Sequence, residues 1–186
     1  MRTVLDQDHR YRHSVRVARA ADVLAQRHGV DPAKARLAGM LHDLARLYPA
    51  KELIAQCERR GIPIDAFSRE HPVVLHAPLG AALAAETFEV SDPQILSAIA
   101  KHTLGDVQMS GLDAVIYLAD GLEPGRDYEE RSALWDLALQ DLDAALEATM
   151  RHSIEHLERT GTSVAPKTRA ALAARRQPEG STPSLT

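Results

Sequence analysis

The stretch LAGMLHDLA at residues 37–45 decides how the chain is read. Small and apolar residues fill its first five positions, and two adjacent ionisable side chains, His42 and Asp43, follow. Alanine, leucine and methionine are strong helix formers, so the run reads as the end of a helix whose buried face closes on that pair. Burying an imidazole beside a carboxylate costs free energy unless both groups are satisfied. A divalent metal satisfies both at once, because imidazole nitrogen and carboxylate oxygen are ligands for zinc, iron and manganese. The pair is therefore the seed of a metal site.

Upstream, Val17, Ala21, Leu24 and Ala25 recur at helical spacing and predict a helix over 8–28 that stops at Gly29. His13, four residues before Val17, lies on its inward face. Asp31 and Pro32 supply a cap and a first-turn proline for a helix running through Ala35, Ala38, Leu41 and Ala45, with His42 and Asp43 near its end.

Downstream, a polar helix over 51–60 ends at Gly61, and GIPIDAFSREHP (61–72) holds too many punctuating residues to be regular, so it reads as a loop. His76 sits in LHAPLGAALAAE (75–86), which predicts a helix from about residue 77 packing through Gly80, Ala81 and Ala84. Ser91, Asp92 and Pro93 cap the next helix, on which Ile95, Ile99 and His102 share a face. Leu112, Ile116 and Asp120 repeat the device of an apolar face ending in a ligand-type residue. Residues 128–158 carry a long helical pattern around Leu134, Leu137, Leu142, Ala145 and Leu146, broken near Asp141 and Asp143, that reads as scaffold. A short helix over 166–175 follows Gly161.

Composition supports this reading. Two Phe, one Trp and four Tyr among 186 residues leave little material for strands, so the fold is expected to be all-α. One domain over 1–176 is expected, followed by a tail, QPEGSTPSLT (177–186), of disordered composition. A net charge of -4, from 22 basic and 26 acidic residues, gives no electrostatic footprint for general nucleic-acid binding or for an anionic membrane surface. Cys57 is the only cysteine, which excludes an intrachain disulfide. With neither a signal peptide nor a membrane-spanning apolar run, the expected compartment is the cytoplasm.

The inward ligand-type residues are His13, His42, Asp43, His76, His102 and Asp120, from five separate segments. Alone, each reads more readily as a hydrogen-bonded core residue than as a ligand, because buried polar groups are routinely satisfied by the protein. Together they point to a metal centre. The remaining histidines, His9, His28, His71, His152 and His156, read as surface or structural residues, His71 being the first candidate for an exception because it borders the site loop.

The order H, HD, H, H, D resembles that of the HD-domain metal-dependent phosphohydrolases, and within them the chain resembles the YqeK family. The resemblance is carried by RYRHSVRVA (10–18), LAGMLHDLA (37–45), LHAPLGA (75–81), IAKHTLG (99–105) and MSGLDAVIYLADGLEPGR (109–126). It implies a helical bundle with a dinuclear metal site, usually iron, with manganese and zinc as the alternatives. The implied activity is symmetrical hydrolysis of dinucleoside tetraphosphates, diadenosine tetraphosphate and water giving two ADP. By similarity, His13, His42, Asp43 and Asp120 hold one metal, His76 and His102 hold the second, and Asp43 bridges. Asp43, His76 and His102 are thereby the expected catalytic residues, and family analogy also implies a homodimer. Arg46 stands after HDLA where the family commonly has lysine, and APKTRA (165–170) only loosely echoes the family's C-terminal motif.

The chemistry explains such a cluster without reference to any family. Phosphoanhydride oxygens repel an anionic nucleophile, so hydrolysis at neutral pH needs an activated water and positive charge on the phosphoryl group, and two metals supply both. Lys101 beside His102, and Arg126 in the EPGR turn, are candidates for the substrate's flanking phosphates, with Arg46 and Thr103 as further candidates. Another HD phosphohydrolase, a nucleotidase or a phosphodiesterase, is the alternative enzyme reading. A non-catalytic helical regulatory module is the alternative of another class, and the presence of all six ligand-type residues argues against it.

Overall fold

Ten α-helices and one 3-10 turn make up the regular structure of residues 8–175, the residues that the computed structural model describes, and no strand occurs among them. α1 (Asp8–Arg27) buries Val17, Ala21, Leu24 and Ala25, and His13 lies on the same face. After Gly29, at φ 67°, Asp31 caps α2 (Pro32–Leu41) by accepting the Ala33 and Lys34 amides at 2.8 and 3.2 Å. α2 approaches α1 closely, since a β-carbon on Gly39 would stand 2.9 Å from Ala18 Cα. Only glycine permits that backbone separation. His42 is the first residue past the helix rather than within it, and residues 42–47 continue as tight turns.

α3 (Ala50–Arg59), α4 (Ala66–Glu70), the 3-10 turn Pro72–Leu75 and α5 (His76–Phe88) form a side layer, with an apolar centre of Ala45, Leu53, Cys57, Leu75 and Leu79. Segment 61–72, expected to be a loop, contains α4. Asp65 accepts the Ser68 amide at 2.7 Å and so caps a short helix between the prolines at 63 and 72. α5 starts at His76, close to the expected residue.

α6 (Pro93–Lys101) is capped by Asp92 and ends just before His102. α7 (Gly111–Leu122) is the central helix: every residue from Leu112 to Ala119 is buried, against α1, α2, α6 and α9. Each fully buried large side chain here, Ile116, Leu118 or Leu122, contributes about 1.5–3 kcal/mol of hydrophobic stabilisation. α8 (Arg131–Gln140) and α9 (Leu142–Arg159) are separated at Asp141, where the sequence predicts a break, and Asp141 accepts the Ala144 amide at 3.0 Å to begin α9. The pair starts at Arg131, later than expected. α10 (Pro166–Arg175) packs on α9. The expected tail at 177–186 lies outside the described residues. Among the described residues, no helix is long and apolar enough to cross a membrane.

Candidate metal centre

Five elements or their ends deliver the donors. His13 comes from within α1, His42 and Asp43 from the end of α2, His76 from the first residue of α5, His102 from the end of α6 and Asp120 from the last turn of α7. They gather as two pairs of imidazoles around one carboxylate. His13 Nε2 lies 3.3 Å from His42 Nε2, and His76 Nε2 lies 3.0 Å from His102 Nε2. Asp43 stands between the pairs: its Oδ2 is 3.8 Å from both His13 Nε2 and His42 Nε2, while its Oδ1 is 3.3 Å from His76 Nε2 and 4.0 Å from His102 Nε2. Asp120 Oδ1 joins the first pair, 3.1 Å from His13 Nε2 and 3.8 Å from His42 Nε2.

Each ring is aimed from its other nitrogen. The Nδ1 atoms of His42, His76 and His102 lie 2.7, 2.5 and 2.7 Å from the carbonyl oxygens of Gly39, Val73 and Ile99, each three residues earlier. A carbonyl can only accept, so each Nδ1 carries hydrogen and each Nε2 presents its lone pair to the cluster when the ring is neutral. His13 Nδ1 donates instead to Glu123 Oε1 at 3.1 Å.

Glu123 explains the EPGR turn. Its buried carboxylate also accepts from Arg16 Nε at 2.5 Å, Arg16 Nη2 at 3.0 Å and the Gly125 amide at 2.5 Å. A β-carbon on Gly125 would stand 2.5 Å from Arg16 Nη2, so glycine leaves room for the arginine. Arg126 then turns back, its Nε donating to Asp120 O at 3.0 Å and its Nη2 to Asp120 Oδ1 at 2.5 Å. Arg10 Nη1 donates to Asp43 Oδ2 at 3.1 Å.

The other cations expected near the substrate fare differently. Lys101 does not turn toward the cluster: its ammonium donates to Asp113 Oδ2 at 2.9 Å and Gln108 O at 2.7 Å, beside the Ser110–Asp113 capping box that starts α7. Thr103 Oγ1 does reach the cluster, 3.2 Å from His76 Nε2 and 3.1 Å from His102 Nε2. Arg46 is half-buried at the turn after Ala45. His71 packs against Phe67, with ring centroids 4.5 Å apart, and His28 Nε2 donates to Ala138 O at 2.6 Å.

The electrostatics follow from burial and company. Burial pushes the Asp43 carboxyl up, but in the metal-free cluster a hydrogen bond from His76 and positive charge on His42, His76 and His102 when these rings are protonated outweigh it and hold it below the usual carboxylate range. Burial likewise opposes ionisation of Asp120, and the His13 hydrogen bond with the fields of His42 and Arg126 carries it well below. In Glu123, burial is overcome by Arg16, the Gly125 amide and His13, down to about 2. Burial, reinforced by His42 and His76, lowers His102 to about 3, whereas in His13 the bonds to Asp120 and Glu123 overcome burial and raise it.

These features test whether a metal fits. Four imidazole Nε2 atoms and two ionised carboxylates converge in a buried space, and neighbouring lone pairs repel unless a cation lies between them. Two nitrogens each held about 2.1 Å from one metal stand roughly 3 to 3.4 Å apart for octahedral to tetrahedral angles, which both pairs match. The donor set, nitrogen and oxygen without thiolate, suits a divalent transition metal.

Glu123, Arg10 and Arg16 were missed in the sequence. The signal was available, because Arg10 and Arg16 stand three residues before and after His13 and so share its helix face.

Comparison with known proteins places the chain in a family. The family model for the HD domain matches residues 10–125. The symmetrical bis(5'-nucleosyl)-tetraphosphatase of Bacillus subtilis is 36% identical over 161 residues, 87% of this chain and 86% of that protein. The enzyme of the same name from Halalkalibacterium halodurans is 32% identical, over 88% of this chain and 87% of its own. A crystal structure of an HD-superfamily hydrolase from Clostridium acetobutylicum, described as involved in NAD metabolism, superposes with a TM-score of 0.88 at 32% identity and covers 90% of this chain and 89% of that one. With its donors in HD order and this likeness along most of its length, the chain belongs to the HD-domain hydrolases, in the YqeK family of symmetrical bis(5'-nucleosyl)-tetraphosphatases.

Proposed function

We propose that the chain hydrolyses dinucleoside tetraphosphates at their centre, diadenosine tetraphosphate and water giving two ADP. The observation that carries this reading is the convergence of all six donors in a chain aligned over most of its length with enzymes named for that reaction. His13, His42, Asp43 and Asp120 would hold one metal, and His76, His102 and the other oxygen of Asp43 a second, iron being the metal that the family resemblance favours. Bound there, two divalent metals supply an activated water and positive charge on the phosphoryl oxygens.

The protein's own groups do the rest. Arg10 and Arg126, both already on the donor carboxylates, offer positive charge to phosphates flanking the cut. The Thr103 hydroxyl is placed to donate to a phosphoryl oxygen lying over His76 and His102. Asp43, Asp120 and Glu123 are all held ionised, so none of them serves as a proton donor to the leaving group.

The test is hydrolysis of diadenosine tetraphosphate in isotopically labelled water by metal-loaded protein, with the nucleotides separated and weighed. Two ADP, one carrying the label, is the expected result. ATP with AMP overturns the assignment.

A further inference from the structure

We propose that the cavity between the 125–128 segment and α9 seats one nucleoside of the substrate, its base stacked on the wall formed by Tyr128 and His152. The cavity measures about 620 Å³, a volume typical of small-ligand sites. Its position is set by Arg126, which lines the cavity and also donates to Asp120 at the donor cluster. A nucleotide has the same order: phosphates at the cluster, a phosphate beside the arginine, a base beyond it. This inference rests on the reading of the chain as a dinucleoside tetraphosphatase.

The lining suits a planar heteroaromatic. The Tyr128 and His152 rings stack with centroids 5.0 Å apart and planes 19° apart, and Tyr128 Oη donates to Gly121 O at 3.1 Å, which fixes the ring in place. A pre-oriented aromatic face receives a base at little entropic cost. A second, independent observation lies deeper in the same wall. Thr149 lines the cavity and is only 3% exposed, yet its hydroxyl has no hydrogen-bond partner among the described residues. A buried hydroxyl left unpaired costs stability, and a polar edge of the nucleoside would complete it. Ser153, also in the lining, is already hydrogen-bonded to Tyr117, which leaves Thr149 as the unpaired hydroxyl there.

Binding of ADP and of inorganic pyrophosphate to the metal-loaded protein, measured by calorimetry, tests the assignment alongside KM and kcat for diadenosine tetraphosphate. Tyr128→Ala is expected to weaken ADP about ten- to a hundredfold, the range of a lost base–aromatic stack, and to raise KM far more than it lowers kcat. Pyrophosphate, which has no base, should bind unchanged, and Tyr128→Phe, which keeps the ring but loses its hydrogen bond to Gly121, should weaken ADP less than Tyr128→Ala does. Thr149→Val decides the matter if Tyr128→Ala does not fold, because it removes a hydroxyl with no protein partner and does not lower Tm. Severalfold weaker ADP binding in that variant is expected, and unchanged binding overturns the subsite. Equal weakening of ADP and pyrophosphate by Tyr128→Ala also overturns it, since the loss would then lie at the phosphates. Failure of the wild type to form two ADP would instead overturn the proposed function, while ADP binding would still report on the cavity.

Discussion

Asp43 Oδ2 accepts a hydrogen bond from Arg10 Nη1 at 3.1 Å, so the carboxylate set between the two histidine pairs also holds an arginine at the edge of the site. Arg10 is about one quarter exposed, which leaves its guanidinium within reach of solvent and of an arriving phosphate. Arg10→Met is expected to lower kcat about ten- to a hundredfold, the weight of one or two lost charge-assisted hydrogen bonds in the transition state, with metal content unchanged. Metal analysis beside steady-state kinetics checks this. Loss of metal in step with activity would make Arg10 a support for Asp43 rather than a contact for substrate.

Asp43 offers one oxygen to each pair, and its removal should therefore empty both. Metal content near two per chain is expected for the wild type, near zero for Asp43→Ala, and near one for His76→Ala or His102→Ala. Elemental analysis after purification in metal-replete medium decides. Equal loss of both metals in the His76 and His102 variants would show that the centre loads only as a unit.

Glu123 does not face the cluster but fixes His13 through Nδ1. Glu123→Gln keeps the shape and removes the charge, and is expected to cost about ten- to a hundredfold in metal affinity or activity, the usual consequence of disturbing the partner of a ligand histidine. Metal competition with a chelator, with near-wild-type helicity as the control, measures it. Arg16→Ala should follow in the same direction with a smaller effect, because the Gly125 amide still holds the carboxylate.

Stability should depend on pH in a definite direction once metal is stripped by a chelator. His102 binds its proton only near pH 3 in the fold but near its ordinary 6.5 when unfolded, so in that window the unfolded chain holds the extra proton. Acidification from about pH 6.5 toward 3 therefore destabilises the fold, and Asp43 and Asp120 add to the loss as pH falls through their depressed range. His13 acts oppositely, its raised value contributing stability that is present at low pH and lost as pH rises, but its displacement is the smaller. Thermal melts of the stripped protein should show Tm falling across that window. A flat or rising profile toward acid would contradict the assignment of a neutral buried His102.

The approach of α1 and α2 is set by Gly39. Gly39→Ala is expected to destabilise by about 1 to 3 kcal/mol, the range for forcing a methyl group into a packed contact, since the new atom meets Ala18 backbone rather than a movable side chain. Denaturant melts measure it, and metal affinity should fall as well because His13 and His42 ride on the two helices that must separate.

The donors that could be read from sequence are those that continue an apolar helical face. His13 stands four residues before Val17, His102 seven after Ile95, and Asp120 four after Ile116, so one spacing rule places all three inward. His42 and Asp43 gave themselves away as adjacent ionisable groups on an apolar run. Lys101 stands apart from the cluster for a physical reason: successive helical residues point about 100° apart, so its place next to His102 puts it on a different face, where it pairs with Asp113. Glu123 lies past the end of α7, where no periodicity applies. Asking which group would accept the His13 Nδ1 hydrogen leads to it, but only once the turn has brought Glu123 back to α1. Helix α4 was hidden by its prolines, although its Asp65 cap was in plain view.

The three-residue bonds from Nδ1 to Gly39, Val73 and Ile99 carry a consequence for how such a site persists. Each of these imidazoles is aimed by a carbonyl of its own chain segment, so the aim is written into four consecutive residues and borrows nothing from the rest of the bundle. The surrounding helices have only to hold three prefabricated units at the right separation. Substitution of core residues can therefore drift widely without re-aiming a ligand, and the same four-residue unit, grafted at the end of a helix in an unrelated scaffold, should present its Nε2 in the same direction.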